Sequence, residues 1–178
     1  MTGEGHFRKP PWGGLIVPAL MLVVVLFVIA APLLEGRGMI TLGEDGEVGG
    51  HEHEEAISDM EHPLSRAIYS AGDVYCHQKE HRTLFINGNP MPVCSRDLGV
   101  FIGMVIGGLF AAVFRGRFSF AFFTALVLPM AFDGTLQLFT RYESWNALRL
   151  VTGLLGGFGI AWMLNSAFMF VSGDHPSR

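Results

Sequence analysis

Apolar residues along this chain gather into four long stretches, 15–34, 98–114, 118–140 and 147–171, with most of the polar residues between them. About 20 helical residues cross a bilayer's hydrocarbon core, and a lipid-exposed backbone must satisfy its own hydrogen bonds, so each stretch is expected to be a transmembrane helix. The fold class that follows is all-α: an integral membrane four-helix bundle with a polar extracytoplasmic loop between its first and second spans. Residues 1–14 form an N-terminal segment and 172–178 a C-terminal tail, both expected to be cytoplasmic.

The first span follows Arg8 and Lys9 and ends near Ala30 and Ala31, an arrangement shared with cleaved secretory signals. Its apolar run exceeds the about 7 to 15 residues of a signal core, however, and Pro32 interrupts the cleavage site, so it reads as an uncleaved anchor. Two crossings separate Arg8 and Lys9 from the Arg115-Gly116-Arg117 turn, which places both basic clusters on one side. The positive-inside rule assigns that side, with both termini, to the cytoplasm. Arg141 and Arg149, flanking the last outer loop, pull mildly the other way.

The segment between the first two spans divides in two. Residues 35–62 are acidic, with nine carboxylates against one base, Arg37, over 35–61, and read as a flexible tether or collar. His51-Glu52-His53-Glu54-Glu55 has donors for a weakly held cation, but a solvated acidic run is the favoured reading and no role is assigned. From Pro63 onward, Leu64, Ala67, Ile68, Ala71, Val74 and Tyr75 recur at helical spacing behind a first-turn proline, predicting a short amphipathic helix on the outer interface. Residues 63–97 are thus an interfacial helix followed by a Cys/His loop. Asn87-Gly88-Asn89-Pro90 marks a turn, and Thr83 to Ile86 is either a hairpin arm or a loop.

Small residues pattern two of the spans: Gly99, Gly103 and Gly107 stand four apart in the second, and Gly153, Gly156, Gly157 and Gly159 cluster in the fourth. Both stripes are expected to serve close helix packing. The charged residues that enter the third and fourth spans do so at one end. Asp133, Gln137 and Arg141 share a face of the third span, below which Pro129 introduces a kink, and Asn146, Arg149 and Gly153 share a face of the fourth. An ionised group near hydrocarbon is costly and seeks a partner, so Asp133 is expected to pair with Arg149 or Arg141.

Composition adds that half of the residues are hydrophobic and 16% charged, with a net charge of −4. With no basic stripe, nucleic-acid binding is excluded. The expected partners are the lipid bilayer, an anionic lipid or phosphorylated ligand, and further membrane subunits. Arg82, Arg96, Arg141 and Arg149 outnumber Asp97 and Asp133, leaving forked donors for an anion.

Candidate chemistry concentrates on the only two cysteines, Cys76 and Cys94, which bracket a polar segment running into the second span. Three readings stay open. A disulfide facing an oxidising exterior would contribute roughly 3 kcal/mol. Cys76, His77 or His81, Cys94 and Asp97 would form a mixed zinc site, although neighbours such as Cys76 and His77 cannot readily hold one ion together. Cys76 would otherwise be a thiolate nucleophile with His77 or His81 as base. In an enzyme, Asp133, Arg96 and Arg149 are the candidate catalytic residues, and Arg82, Gln137, Arg141 and Asn146 the candidate substrate-binding ones.

The run Cys76-His77-Gln78, Arg82, Gly88, Pro92-Val93-Cys94-Ser95-Arg96, Gly99 and Gly103, then Asp133-Gly134-Thr135-Leu136-Gln137 and Arg141 through Asn146, Arg149 and Gly153, resembles a family of small, functionally uncharacterised prokaryotic membrane proteins. The likeness covers roughly the last two thirds of the chain. The resemblance implies a membrane location and a shared site without implying a reaction. The resemblance implies that many members carry Cys-x-Arg-Cys where this chain has Asp97, which would change a set of three thiolates and one imidazole into two thiolates, an imidazole and a carboxylate.

Two function classes follow. One is a metal-assisted hydrolase or transferase acting on a phosphorylated lipid or other anion. The other is a non-catalytic assembly factor, sensor or accessory subunit in which the same residues form a clasp. The second gains from the lack of a His-Glu-x-x-His run, a Gly-x-Ser-x-Gly elbow and a phosphate-binding glycine loop. A channel or transporter is a weaker third class, since only Pro129 and Gly134 would break a span.

Overall fold

The structure is a computed structural model that describes residues 12–43, 53–114 and 119–171. Helices α1 (Trp12–Leu34), α4 (Ser95–Phe114), α5 (Phe120–Phe139) and α6 (Asn146–Val171) coincide closely with the four expected stretches. All four are long and apolar enough to cross a membrane. The short helices α2 (Glu54–Ser58) and α3 (Pro63–Tyr75) and an antiparallel hairpin of β1 (Thr83–Ile86) and β2 (Asn89–Cys94) build a cap between α1 and α4.

Helices α4 and α6 are the central pair, with α1 against α4 and α5 against α6. The glycine stripes explain that centre. A Cβ on Gly99, Gly103 or Gly107 would land on the carbonyl oxygen of Leu150, Leu154 or Phe158, and one on Gly153 or Gly157 on that of Arg96 or Val100. The two backbones therefore touch, with each helix supplying the gaps for the other. At the end opposite the cap, Asn165 Nδ2 donates to Gly14 O (3.0 Å) and Gly108 O (3.3 Å), joining α6 to α1 and α4.

The cap solves a termination problem. The last carbonyls of α1 have no partner within the helix, and cap side chains reach them: Ser65 Oγ donates to Ala31 O (3.0 Å), and Asn89 Nδ2 donates to Pro32 O and Gly36 O (both 2.9 Å). Asn89, fully buried, also accepts from Ile40 N through Oδ1 (3.0 Å). It can do so because Asn87 and Gly88 both adopt positive φ, 55° and 75°, the geometry of a tight two-residue hairpin turn. The segment Thr83 to Ile86 is accordingly a strand.

The acidic segment departs from the expected flexible loop at both of its ends. Ile40, Leu42, Ile57 and Met60 form one cluster with Ala31 and Tyr69, so four apolar residues scattered among carboxylates suffice to pin it. Glu35 accepts from the N–H groups of Glu61 and His62, each at 3.0 Å. Burial works to raise the Glu35 pKa, and those two N–H groups outweigh it, holding the carboxyl below its usual range. His53 Nδ1 lies 2.6 Å from Asp73 Oδ1 within the cap, both residues buried. His51 and Glu52 fall outside the described residues.

Candidate metal cluster and the polar belt beside it

Three elements bring Cys76, Cys94 and Asp97 together. Cys76 ends α3, Cys94 ends β2, and Asp97 lies in the first turn of α4. Their ligand atoms all lie within 4.8 Å of one another. Gln78, buried at φ 41°, fixes the approach by donating from Nε2 to Tyr69 O (2.7 Å) and Pro92 O (2.9 Å), stapling the end of α3 to β2. Gly72 permits that contact, because a Cβ there would meet Pro92 O. The Gln of the Cys-His-Gln run is therefore a positioning residue.

The two thiols are free and unequal. Cys94 N donates to Cys76 Sγ at 3.2 Å. A hydrogen bond from the Cys76 thiol lowers the Cys94 pKa, and the Asp97 N–H at the start of α4 adds to the effect against the cost of burial. The same hydrogen bond, with burial, raises Cys76. One proton is thus shared toward Cys76, leaving Cys94 the better thiolate. The run Cys94-Ser95-Arg96-Asp97 also places sulfur and carboxylate at the spacing of a helix capping box, which by itself accounts for part of the convergence.

The expected imidazole does not join the cluster. Extended backbone at Cys76 (φ −134°, ψ 155°) turns successive side chains to opposite sides, so Cys76 and Gln78 are buried while His77 is exposed. His81 instead places Nε2 2.8 Å from Glu143 Oε1.

A second polar group lies on another face of α4. Adjacent helical residues diverge by about 100°, so Arg96 reaches α5, where its guanidinium pairs with the Asp133 carboxylate, while Asp97 faces the cysteines. This corrects the expected Asp133 partner, which was Arg149 or Arg141. Gln137 Nε2 donates to Asp133 Oδ2 (2.9 Å) and Ser144 Oγ donates to the same oxygen (3.2 Å). Arg149, almost fully buried, reaches Gln137 Oε1 (3.3 Å), Asn146 Oδ1 (3.3 Å) and Glu143 Oε1 (3.4 Å). Asn146 Nδ2 ties the belt back to the cap through His81 O (3.2 Å) and Thr83 O (3.1 Å).

Glu143 is the residue that sequence spacing does not single out, since it stands alone in a loop without a periodic partner. Its Oε1 accepts from Arg82 Nε (3.0 Å) and Nη2 (2.9 Å) and meets His81 and Arg149. The expected surplus of arginine is therefore largely compensated, and Arg141 is exposed, away from this belt's contacts. Hydrogen bonds from His81 and Arg82 pull the Glu143 pKa from about 4.5 down to about 2. A depressed carboxylate stabilises the fold above its unfolded pKa, and that contribution disappears as pH falls toward the folded value. The stability difference between wild type and Glu143→Gln is expected to shrink as pH falls from 4.5 to 2. Thermal melts across that range check it; a difference that persists at pH 2 contradicts it.

Residues 76–163, beginning at Cys76 itself, match the family described as predicted membrane proteins, DUF2085. An uncharacterized protein of Methanocaldococcus jannaschii is 32% identical over 110 residues, covering 59% of this chain and 70% of that protein. The chain belongs to the DUF2085 membrane family. A further uncharacterized relative, from Methanothermobacter thermautotrophicus, is 38% identical over 89 residues, 48% of this chain and 80% of its own length. No solved structure gives a significant match. The family region holds both polar clusters and the α4–α6 pair, while α1 and most of the cap precede it.

Proposed function

We propose that this multi-pass membrane protein carries a metal site at one membrane boundary, with Cys76, Cys94 and Asp97 as protein ligands and zinc as the ion that fits the donors best. The observation that carries the reading is the mutual approach of two sulfurs and a carboxylate within 4.8 Å. Two soft thiolates with one hard oxygen suit zinc, and three protein ligands leave a fourth position for water, as in sites that polarise oxygen. The positive-inside rule supports a cap outside the cell, with Arg8, Lys9 and the Arg115 turn in the cytoplasm.

Of the two uses for such a site, a clasp or sensor is favoured over a hydrolase or transferase acting on an anion. Catalysis on a phosphorylated lipid would need guanidinium groups free to hold it, whereas Arg82, Arg96 and Arg149 are each engaged by a carboxylate. A disulfide is the second reading, favoured by the 3.2 Å contact between Cys94 N and Cys76 Sγ. Purified protein is expected to hold one zinc per chain, to lose it in Cys94→Ser, and to bind it some 10-fold or more weakly in Asp97→Ala. Metal analysis with thiol titration decides: two blocked thiols without metal select the disulfide, and two freely reactive thiols without metal end both readings.

A further inference from the structure

A groove of about 560 Å³ opens between α1, α3 and α4, directly beside Cys76 and Asp97. Its walls are apolar, including Val24 and Phe27 of α1, Ala67 and Ala71 of α3, and Phe101 of α4. It exists because α3 presents only the short side chains of Ala67 and Ala71 to this space, where larger ones would close the gap. The volume is that of a small-molecule site. Phe27 and Tyr75 are 46% and 81% exposed, so the groove is open to whatever surrounds this part of the chain.

We infer that this groove binds one hydrocarbon chain of a membrane amphiphile whose uncharged, hydroxyl-bearing head lies against Asp97 and Cys76. The occupant's chemistry follows from three observations. The surroundings of α1 and α4 are bilayer, because both are apolar enough to span it. The depth fits one leaflet: Val24 lies ten residues below the end of α1, about 15 Å along the helix, half of a hydrocarbon core of about 30 Å. The polarity is graded as in a lipid, with Cys76 and Asp97 at the boundary and aliphatic and aromatic carbon below. The head follows from charge, since among the described residues no lysine, arginine or histidine lines the groove while Asp97 supplies acceptor oxygens. An anionic head would find no cation there, and a hydroxyl can donate to the carboxylate. The inference goes beyond the metal reading and does not require the ion to be present.

Full-length protein in phosphatidylcholine vesicles, photolabelled with a diazirine-bearing hexadecanol and mapped by mass spectrometry, tests it. Labels are expected on Ala71, Tyr75, Phe27 and Phe101, and unlabelled hexadecanol should remove them. Hexadecane and hexadecanoic acid should compete at least 10-fold less well. Ala71→Trp, which fills the groove from an exposed helix face, should cut these labels about 10-fold while labels on the outer face of α5 and the zinc content remain. Asp97→Asn should narrow the gap between hexadecanol and hexadecanoic acid. Labels spread evenly over α1 and α5, or unchanged in Ala71→Trp, overturn the inference, and equal competition by the acid overturns the uncharged head. Absence of zinc from the purified protein fails the metal reading, and labelling that persists in that protein leaves the groove intact.

Discussion

Gly153→Leu is expected to leave no folded bundle that survives detergent extraction, and Gly153→Ala to lower stability by about 1 to 3 kcal/mol or more. The cause is the absence of any space between α4 and α6. A Cβ at Gly153 would coincide with the Arg96 carbonyl, and Gly157, one turn on, stands in the same relation to Val100. Neither backbone can retreat alone, because Gly99, Gly103 and Gly107 press α4 onto α6 from the other side. Gly134→Ala is the control. Its new methyl would meet nothing nearer than Arg96 Nη1 at 3.6 Å, so it is expected to be neutral or to stabilise α5 by roughly 0.5 to 1 kcal/mol through helix propensity. Thermal unfolding of the three variants checks the contrast, and equal losses at 134 and 153 would refute the packing account.

Asp133→Ala is the other large expected effect, a loss of about 3 to 5 kcal/mol, the range for a buried ion pair that loses one partner. Asp133 is buried in the wall between α5 and α6, with Arg96 as its charge partner and Gln137 and Ser144 donating to the same oxygen. Removing the carboxylate strands Arg96 beside hydrocarbon, where an unpaired cation costs about 2.5 to 3.5 kcal/mol at mid-span and less toward the boundary. Arg96→Met strands Asp133 in the same way. The double variant Arg96→Met/Asp133→Leu removes both charges and is expected to cost much less than the sum of the single changes. A double-mutant cycle of melting free energies measures that coupling; additive losses would mean that the pair is not what holds α5 in place. The test matters for function as well, because a strongly coupled pair is occupied with structure and leaves Arg96 unavailable to a substrate.

The locations of the polar residues show how far a linear reading can go. The stripe of Asp133 and Gln137 and the stripe of Asn146 and Arg149 do meet at the end of the bundle that carries Cys94, because helical spacing fixes which residues share a face. Spacing does not fix how two helices rotate about each other, so Arg96 rather than Arg149 holds Asp133. It is equally silent about an isolated loop residue such as Glu143, whose four contacts come from three residues in two separate parts of the chain. The ordered ends of the acidic segment have a similar cause: Leu42 and Ile57 are too few to form a pattern, and only the pocket over Ala31 and Tyr69 gives them somewhere to go.

What the sequence by itself determined was the set of four spans, the amphipathic helix from Pro63, the turn at Asn87-Gly88 and the use of the glycine stripes. Each is a local consequence of hydrophobic length, helical period or backbone freedom, all of which can be counted along the chain. What only the tertiary structure decided was the separation of the polar residues into two groups on different faces of α4. One is the Cys76, Cys94 and Asp97 cluster beside an apolar groove, and the other is a carboxylate-compensated arginine belt. That division depends on the roughly 100° turn between Arg96 and Asp97 acting after the glycine contacts have fixed the rotation of α4 against α6, a long-range packing result that no local pattern encodes.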